Sequence, residues 1–195
     1  MTNHNDPPEP LEERLVASEL LHRGRYLDFR IDTLERPDGR RVRREVAGHP
    51  GAVAVVALDS EGRILLVRQW RSPAGRALLE IPAGTLERDE GGDTREDPDL
   101  AAVRELEEET GMRAGRWERL ARFWTAPGFA TELMHLYLAT GLVPASGERL
   151  GPDEDETLEL VRLPWSEAVA AAERGEIVDA KTLIGILLVA RRLRG

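Results

Sequence analysis

The sequence predicts an α/β protein: a mixed central sheet with helices packed on it, plus a small N-terminal antiparallel β-sheet. Three observations carry this expectation. Two apolar runs of strand length, "AVAVVAL" (52–58) and "RILLVRQW" (63–70), are separated only by the turn "DSEG", so they pair as a hairpin inside a sheet. Segments with helix start and stop signals interleave with further strands, the pattern of layered α/β folds. Several strand pairs share short turns rather than helical crossovers, so the sheet is mixed rather than purely parallel.

Taken in order, residues 1–13 are polar and Pro-rich and read as a disordered tail. Residues 14–48 read as a β-hairpin subdomain, its two strands lying within 25–46 around the turn Pro37-Asp38-Gly39. Proline presets φ in that turn and glycine accepts a positive one. A hairpin of this size does not stand alone, so it is expected to lean on another surface. Residues 49–195 form the main domain. After its first hairpin come a short strand "ALLEI" (77–81), the turn "PAG" and a hydrophilic loop, "TLERDEGGDTRED" (85–97). A helix follows, with Asp97 suited to the N-cap, Pro98 to the first helical position and Gly111 to C′. Strands "ERLARFW" (118–124) and "LMHLYLA" (133–139) flank "TAPGFATE", and the acidic loop "GPDEDE" (151–156) leads into the strand "TLELVRL" (157–163). Helices "WSEAVAAAERG" and "DAKTLIGILLVARRLRG" close the chain, the second capped by Asp179.

Composition narrows the function. With 195 residues, 41% hydrophobic and 32% charged, the chain suits one folded domain with a real core and a small appendage. A net charge of −9 disfavours nucleic acid or an anionic membrane as partner, while local arginines can still take a phosphorylated small molecule. The absence of cysteine excludes disulfides, thiolate catalysis and Cys-bound zinc, and is compatible with a reducing cytoplasm. The N-terminal "MTNHNDPPEPLEERL" lacks the apolar run and basic n-region of a signal peptide. The longest apolar stretch, "LIGILLVA", falls well short of the ~18 residues of a membrane span.

The most informative stretch is "RELEEE" (104–109). On a helix Glu105, Glu108 and Glu109 fall at i, i+3 and i+4 and share a face, where each like-charge pair costs roughly a few tenths of a kcal/mol. The run lies in the C-terminal half, where the helix dipole disfavours anions, and no lysine at i+4 offsets it. Leu100, Val103 and Leu106 are expected to form the apolar stripe, with Ala101 and Ala102 permitting close approach. One reading is a solvated acidic face. The other is a hard divalent cation such as Mg²⁺, which takes carboxylate oxygens, keeps several waters and binds substrate phosphates. Charge of a single sign favours the cation, with Arg104 orienting a carboxylate from the side.

Arg104 to Met112 resembles the second half of the Nudix box, R-E-U-x-E-E-x-G-U with U apolar, at every fixed position. Glu96 lies eight residues before Arg104, where that box has its earlier glutamate. The opening glycine belongs fourteen residues before the arginine, where Glu90 stands. Gly84 of "PAG", twenty residues before, is the counterpart, which implies a six-residue insertion within "LERDEGGDTR". "VRQWR", "LLEIPAG" and "TAPGFATELMHLYLA", with Pro127 sixteen residues after Gly111, resemble the ADP-ribose pyrophosphatase branch. So does the tail from "DEDETLELVRLPWSEAV" through "GEIVDAKTLIGILL", and the likeness covers Tyr26 to the C-terminus.

The resemblance implies a Nudix α/β/α sandwich over 49–195, with 14–48 building a homodimer. It implies hydrolysis of ADP-ribose to AMP and ribose 5-phosphate with Mg²⁺, or with Mn²⁺ or another divalent cation. Glu105 and Glu109 become the principal metal ligands and catalytic residues. Glu108 becomes a further ligand and Ala83 contributes its backbone carbonyl, while Arg104 and Glu96 tie the loop to the helix. Glu156 aligns with the mobile-loop glutamate that acts as general base in relatives, with Glu154 in reserve; a solvated acidic turn is the competing reading. Arg71, Glu80, Tyr26, Phe29 and Gly128 are candidate substrate contacts. Arg71 binds phosphate or ribose, or is a plain surface arginine; Glu80 touches the site or satisfies a backbone group. Tyr26 and Phe29 stack on adenine, or serve a core. Trp70, Trp124 and Trp165 read as core or interface, and His135 needs no catalytic role. Two alternatives stand beside ADP-ribose hydrolysis. One is a sister hydrolase of another nucleotide sugar such as GDP-mannose. The other is a non-catalytic ADP-ribose-binding module, of a kind that usually loses box glutamates kept here.

Overall fold

A computed structural model describes residues 11–88, 96–146 and 157–193. It divides into two units, one holding the described residues up to 49 with Ala126–Glu132, the other those of Pro50–Thr125 and Leu133–Gly195. In the smaller unit, β1 (Arg14–Arg23), β2 (Asp28–Glu35) and β3 (Arg41–Gly48) form an antiparallel sheet in that order. The β2–β3 turn falls on Pro37-Asp38-Gly39 as expected: Gly39 has φ 80° and its N–H donates to the Arg36 carbonyl at 2.9 Å. The strand Arg14–Arg23 is an addition to the two expected. Its segment "RLVASELLHR" has no clean alternation, and nearly all of it is exposed, including Leu15, Leu20 and Leu21. Ala126–Glu132 joins this unit through the backbone: Ala47 N–H donates to the Phe129 carbonyl at 2.8 Å and Thr131 N–H to that of Ala47 at 3.0 Å.

The larger unit is built on β4 (Ala52–Leu58), whose unbroken apolar run is explained by burial on both faces. Val53, Val55 and Ala57 pack with Ala101, Ala102 and Leu106 of α1 (Pro98–Thr110). Ala54 and Val56 pack on the other side with Ala168 and Ala171 of α2 (Trp165–Glu173) and with Ile186 and Val189 of α3 (Ala180–Leu193). Gly185 lets α3 approach this closely, since a Cβ there would press on the Val56 methyl at 2.6 Å. The sheet is therefore the middle layer of an α/β/α sandwich.

The remaining strands are β5 (Arg63–Arg71), β6 (Arg76–Glu80), β7 (Ala83–Thr85), β8 (Met112–Trp124), β9 (Leu133–Pro144) and β10 (Leu158–Pro164). The main path runs β10-β5-β4-β9-β8, with β4–β9 parallel and the other pairs antiparallel, which is the mixed sheet expected. β8 and β9 are longer than the sequence suggested, because Gly111 ends α1 and the chain enters β8 at the next residue. β4 and β5 pair only at Ala57–Leu65 and Leu58–Ile64 and then diverge. β6 follows β5, β7 follows β4, and the Pro82 carbonyl accepts from Val55 N–H at 2.8 Å, so Ile81–Gly84 fills the gap as a wedge.

Helix α1 begins and ends as predicted: Asp97 accepts from Asp99 N–H at 2.8 Å, and Gly111, at φ 68°, donates to the Glu107 carbonyl. Its buried face differs from the expected stripe. Leu100 is 67% and Val103 41% exposed, whereas Ala101, Ala102, Glu105, Leu106 and Glu109 are buried. The helix turns small residues and glutamates inward, because the wedge lies beneath its carboxylates.

Candidate active site

Ala83 and Gly84 on the wedge meet the acidic helix directly. The Ala83 N–H donates to Glu109 Oε2 at 3.1 Å. A Cβ on Gly84 would overlap the Glu105 carboxylate, so only glycine leaves that side chain its place. Glu105 and Glu109 are both under a tenth exposed. Two carboxylates that the sequence put on one helical face are thus packed against one short backbone segment.

Arg104 organises the rest. Its Nη1 donates to Glu105 Oε1 and Glu108 Oε2, each at 2.8 Å, while Nε and Nη2 form a pair of bonds to Glu96 at 3.0 and 2.8 Å. Glu96 also accepts from Glu87 N–H at 3.2 Å, and its own N–H donates to the Glu87 carbonyl at 3.0 Å. Glu87 and Glu96 are therefore bound to each other through both backbone and side chain. Burial pushes the Glu96 carboxyl up, but the Arg104 bonds outweigh it and hold the group below its ordinary value.

The acidic run is less isolated than the sequence suggested. Arg104 lies four residues before Glu108, and Arg113, just past the helix, holds Glu107 by bonds of 2.7 and 2.8 Å. Still, Arg104 is shared by the three carboxylates of Glu96, Glu105 and Glu108, so carboxylates outnumber the guanidinium there. Among the described residues no three carboxylate or imidazole groups stand together as a preformed metal cluster; Glu105 and Glu108 turn to Arg104 instead. An all-oxygen donor set and a glycine-shaped recess at Glu105 fit a hard divalent cation, which Glu105, Glu108, Glu109 and the Ala83 carbonyl could hold.

At the other end of the wedge, Glu80 is almost fully buried. Arg71 Nε and Nη2 donate to its two oxygens at 2.7 and 2.8 Å, and Lys181 Nζ donates to Oε2. Lys181 also donates to Asp179 Oδ1 at 3.0 Å. Asp179 Oδ2 in turn accepts from Thr182 N–H at 3.0 Å and Oγ1 at 2.6 Å, and that Oγ1 accepts from Ile81 N–H at 2.9 Å. Burial would push the Glu80 carboxyl up; the Arg71 bonds and the Lys181 charge hold it below its ordinary value. Arg71 is held more firmly protonated, chiefly by Glu80, and the Glu109 charge also reaches it. The sequence suggested Arg71 and Glu80 singly. It missed that they are one pair, and it missed Lys181, about a hundred residues further along the chain; "DAKT" carried the only local signal, the cap.

Other candidates are placed as follows. Tyr26 lies in the β1–β2 turn, partly exposed, with the Arg25 guanidinium 4.8 Å from its ring centre; Phe29 in β2 is half exposed. Gly128 lies in the Ala126–Glu132 segment, where a Cβ would meet nothing within 4 Å. Glu154 and Glu156 lie outside the described residues. Trp165 packs against the core, whereas Trp70 and Trp124 are exposed. His135 lines a cavity of about 730 Å³ with Arg119, Arg122 and Tyr137, and burial, then the two arginines, hold it below its ordinary pKa.

A family model described as NUDIX domain matches residues 48–184. The chain belongs to the Nudix hydrolase family. It is 41% identical over 176 residues to the ADP-ribose pyrophosphatase of Bacillus subtilis (strain 168), covering 90% of this chain and 91% of that one. It is 42% identical over 175 residues to the methanol dehydrogenase activator of Bacillus methanolicus, with 90% and 91% coverage. Among solved structures it resembles an ADP compounds hydrolase with a TM-score of 0.78 and 25% identity, over 97% of this chain and 98% of that one. In this Nudix chain the carboxylate helix and the wedge lie within the matched residues, and no described helix is long and apolar enough to cross a membrane.

Proposed function

We propose that this Nudix hydrolase cleaves the pyrophosphate bond of ADP-ribose, giving AMP and ribose 5-phosphate. The observation that carries the proposal is the packing of Glu105 and Glu109, with Glu108 beside them, against Ala83 and Gly84. Likeness to an ADP-ribose pyrophosphatase along nearly the whole of both chains supports the choice of substrate. A divalent cation, Mg²⁺ in our reading, would neutralise pyrophosphate charge there and lower the pKa of a bound water. The chain's own residues do the rest. Arg104 holds Glu105 and Glu108 in place from the side and ties them to the loop through Glu96. Arg71 supplies positive charge to the substrate phosphates from the opposite end of the wedge. Glu156 accepts the proton of the attacking water as general base, with Glu154 in reserve.

Tyr26 and Phe29 are assigned to stacking on adenine, and Gly128 to a contact with the substrate. The three-stranded sheet of residues 14–48 is assigned to a homodimer interface, a reading supported by the exposure of Leu15, Leu20 and Leu21. The net charge of −9 supports a small-molecule partner rather than nucleic acid or membrane, and the absence of cysteine suits the cytoplasm.

The test is a panel of nucleoside diphosphate sugars incubated with Mg²⁺ and scored for nucleoside monophosphate release. ADP-ribose is expected to have the highest kcat/KM. Preferential release of GMP from GDP-mannose would move the substrate assignment to another nucleotide sugar, and no cleavage at all would favour a binding module.

A further inference from the structure

We infer that Lys181 is a positioning residue for substrate binding: by sharing Glu80 with Arg71, it fixes the arginine that meets the substrate phosphates. The inference rests on the proposed function, which supplies ADP-ribose as the ligand and Arg71 as a contact to its phosphates.

A carboxylate offers two oxygens and about four lone-pair sites. Arg71 occupies one on each Glu80 oxygen, through Nε and Nη2, and Lys181 takes a second on Oε2. Arg71 Nη1 is not committed to that pair. Lys181 is itself held by Asp179, and Asp179 by the first turn of α3 through Thr182 N–H and Oγ1. A rigid helix end therefore fixes Lys181, Lys181 fixes Glu80, and Glu80 fixes the plane and reach of the guanidinium. Exposure separates the roles. The Arg71 side chain is 41% exposed and can meet a ligand, whereas that of Lys181 is 12% exposed and that of Glu80 1%.

Charge gives a second reason. Arg71 and Lys181 balance Glu80 and Asp179, so the four groups sum to zero. Without Lys181 the remaining three carry a net negative charge beside Glu109, whose field already reaches Arg71. An anionic pyrophosphate would then meet an arginine that is both less well oriented and over-neutralised.

The test measures the Kd of ADP-ribose by calorimetry in a chelator, where binding is read without turnover, and kcat and KM separately with Mg²⁺. Removing an outer group that orients a functional one typically costs about 10–100-fold, so Lys181→Met is expected to weaken binding and raise KM by about tenfold or more. Its kcat is expected to change less, and Lys181→Arg should recover most of the loss. Because Lys181 acts through Arg71, Lys181→Met should add little in an Arg71→Ala background. Asp179→Asn keeps an acceptor for α3 but loosens Lys181, so it should show an intermediate loss, and it decides the matter if Lys181→Met does not fold. Wild-type binding in both Lys181→Met and Asp179→Asn overturns the inference, as does a full additional loss on Arg71→Ala. A wild-type protein that neither binds nor cleaves ADP-ribose overturns the proposed function, and the inference with it. One that binds or cleaves normally while Lys181 proves indifferent overturns the inference alone.

Discussion

Gly84→Ala probes the contact between the wedge and the acidic helix with a single methyl group. Gly84 does not have a positive φ, so alanine introduces no backbone strain there. The new Cβ would instead occupy the space of the Glu105 carboxylate, which must retreat by about an ångström or more to reach ordinary contact. Glu105 is buried and bonded to Arg104 at 2.8 Å, so the retreat sacrifices that bond as well. A misplacement of about 1 Å in a catalytic constellation costs about a hundredfold, or roughly 2.7 kcal/mol of barrier. Stability should respond much less. Losing one charge-assisted bond costs about 1.5–3 kcal/mol, and removing glycine's freedom in the unfolded chain returns about 0.4–1. The net of about 0.5–2.6 kcal/mol corresponds to a Tm drop of about 1–10 °C in a chain of this size. The assay is kcat/KM on ADP-ribose with Mg²⁺, alongside a thermal melt. A folded Gly84→Ala protein with wild-type kcat/KM would show that Glu105 does not need its position, and would refute the reasoning.

Three further expectations concern the scaffold and the base. Thr182→Val keeps the shape of a fully buried side chain but strips partners from Ile81 N–H and Asp179. It should cost about 2–4 kcal/mol in urea denaturation, and an unchanged midpoint would contradict the role given to that hydroxyl. Glu156→Gln should lower kcat by about 10²–10⁴-fold with KM nearly constant. If only Glu154→Gln does so, the base is two residues earlier; if neither does, the proton goes elsewhere. Sedimentation at micromolar concentration should give a dimer, and a fully active monomer would remove the interface assigned to residues 14–48.

What the sequence made legible were features whose cause is local. The cap at Asp97, Pro98 at the first position and Gly111 at the end bounded α1 correctly, because capping is decided within a few residues. The unbroken apolar run of β4 announced burial on both faces for the same reason. The features that were missed depend on what arrives from elsewhere. Leu100 and Val103 fit a helical stripe as well as Ala101 and Ala102 do, and only the wedge below the glutamates decides which face turns inward. Arg14–Arg23 was hidden because exposure on both faces leaves a strand with no alternation to read. Arg71 and Glu80 stood out only singly, and Lys181 not at all. Their pairing comes from β6 returning along β5 and from α3 docking its first turn beside Ile81, neither of which leaves a trace in residue spacing.

The central claim is that charge on the inward face of α1 holds the cation that hydrolysis of ADP-ribose requires. Its most direct test compares wild type and Glu109→Gln for AMP release from ADP-ribose, each with Mg²⁺ and with chelator. Glutamine keeps an oxygen for the Ala83 N–H, so the variant should remain folded. Wild type is expected to release AMP only with the cation, and Glu109→Gln to lose most of that turnover. Equal Mg²⁺-dependent release by the two proteins would contradict the account.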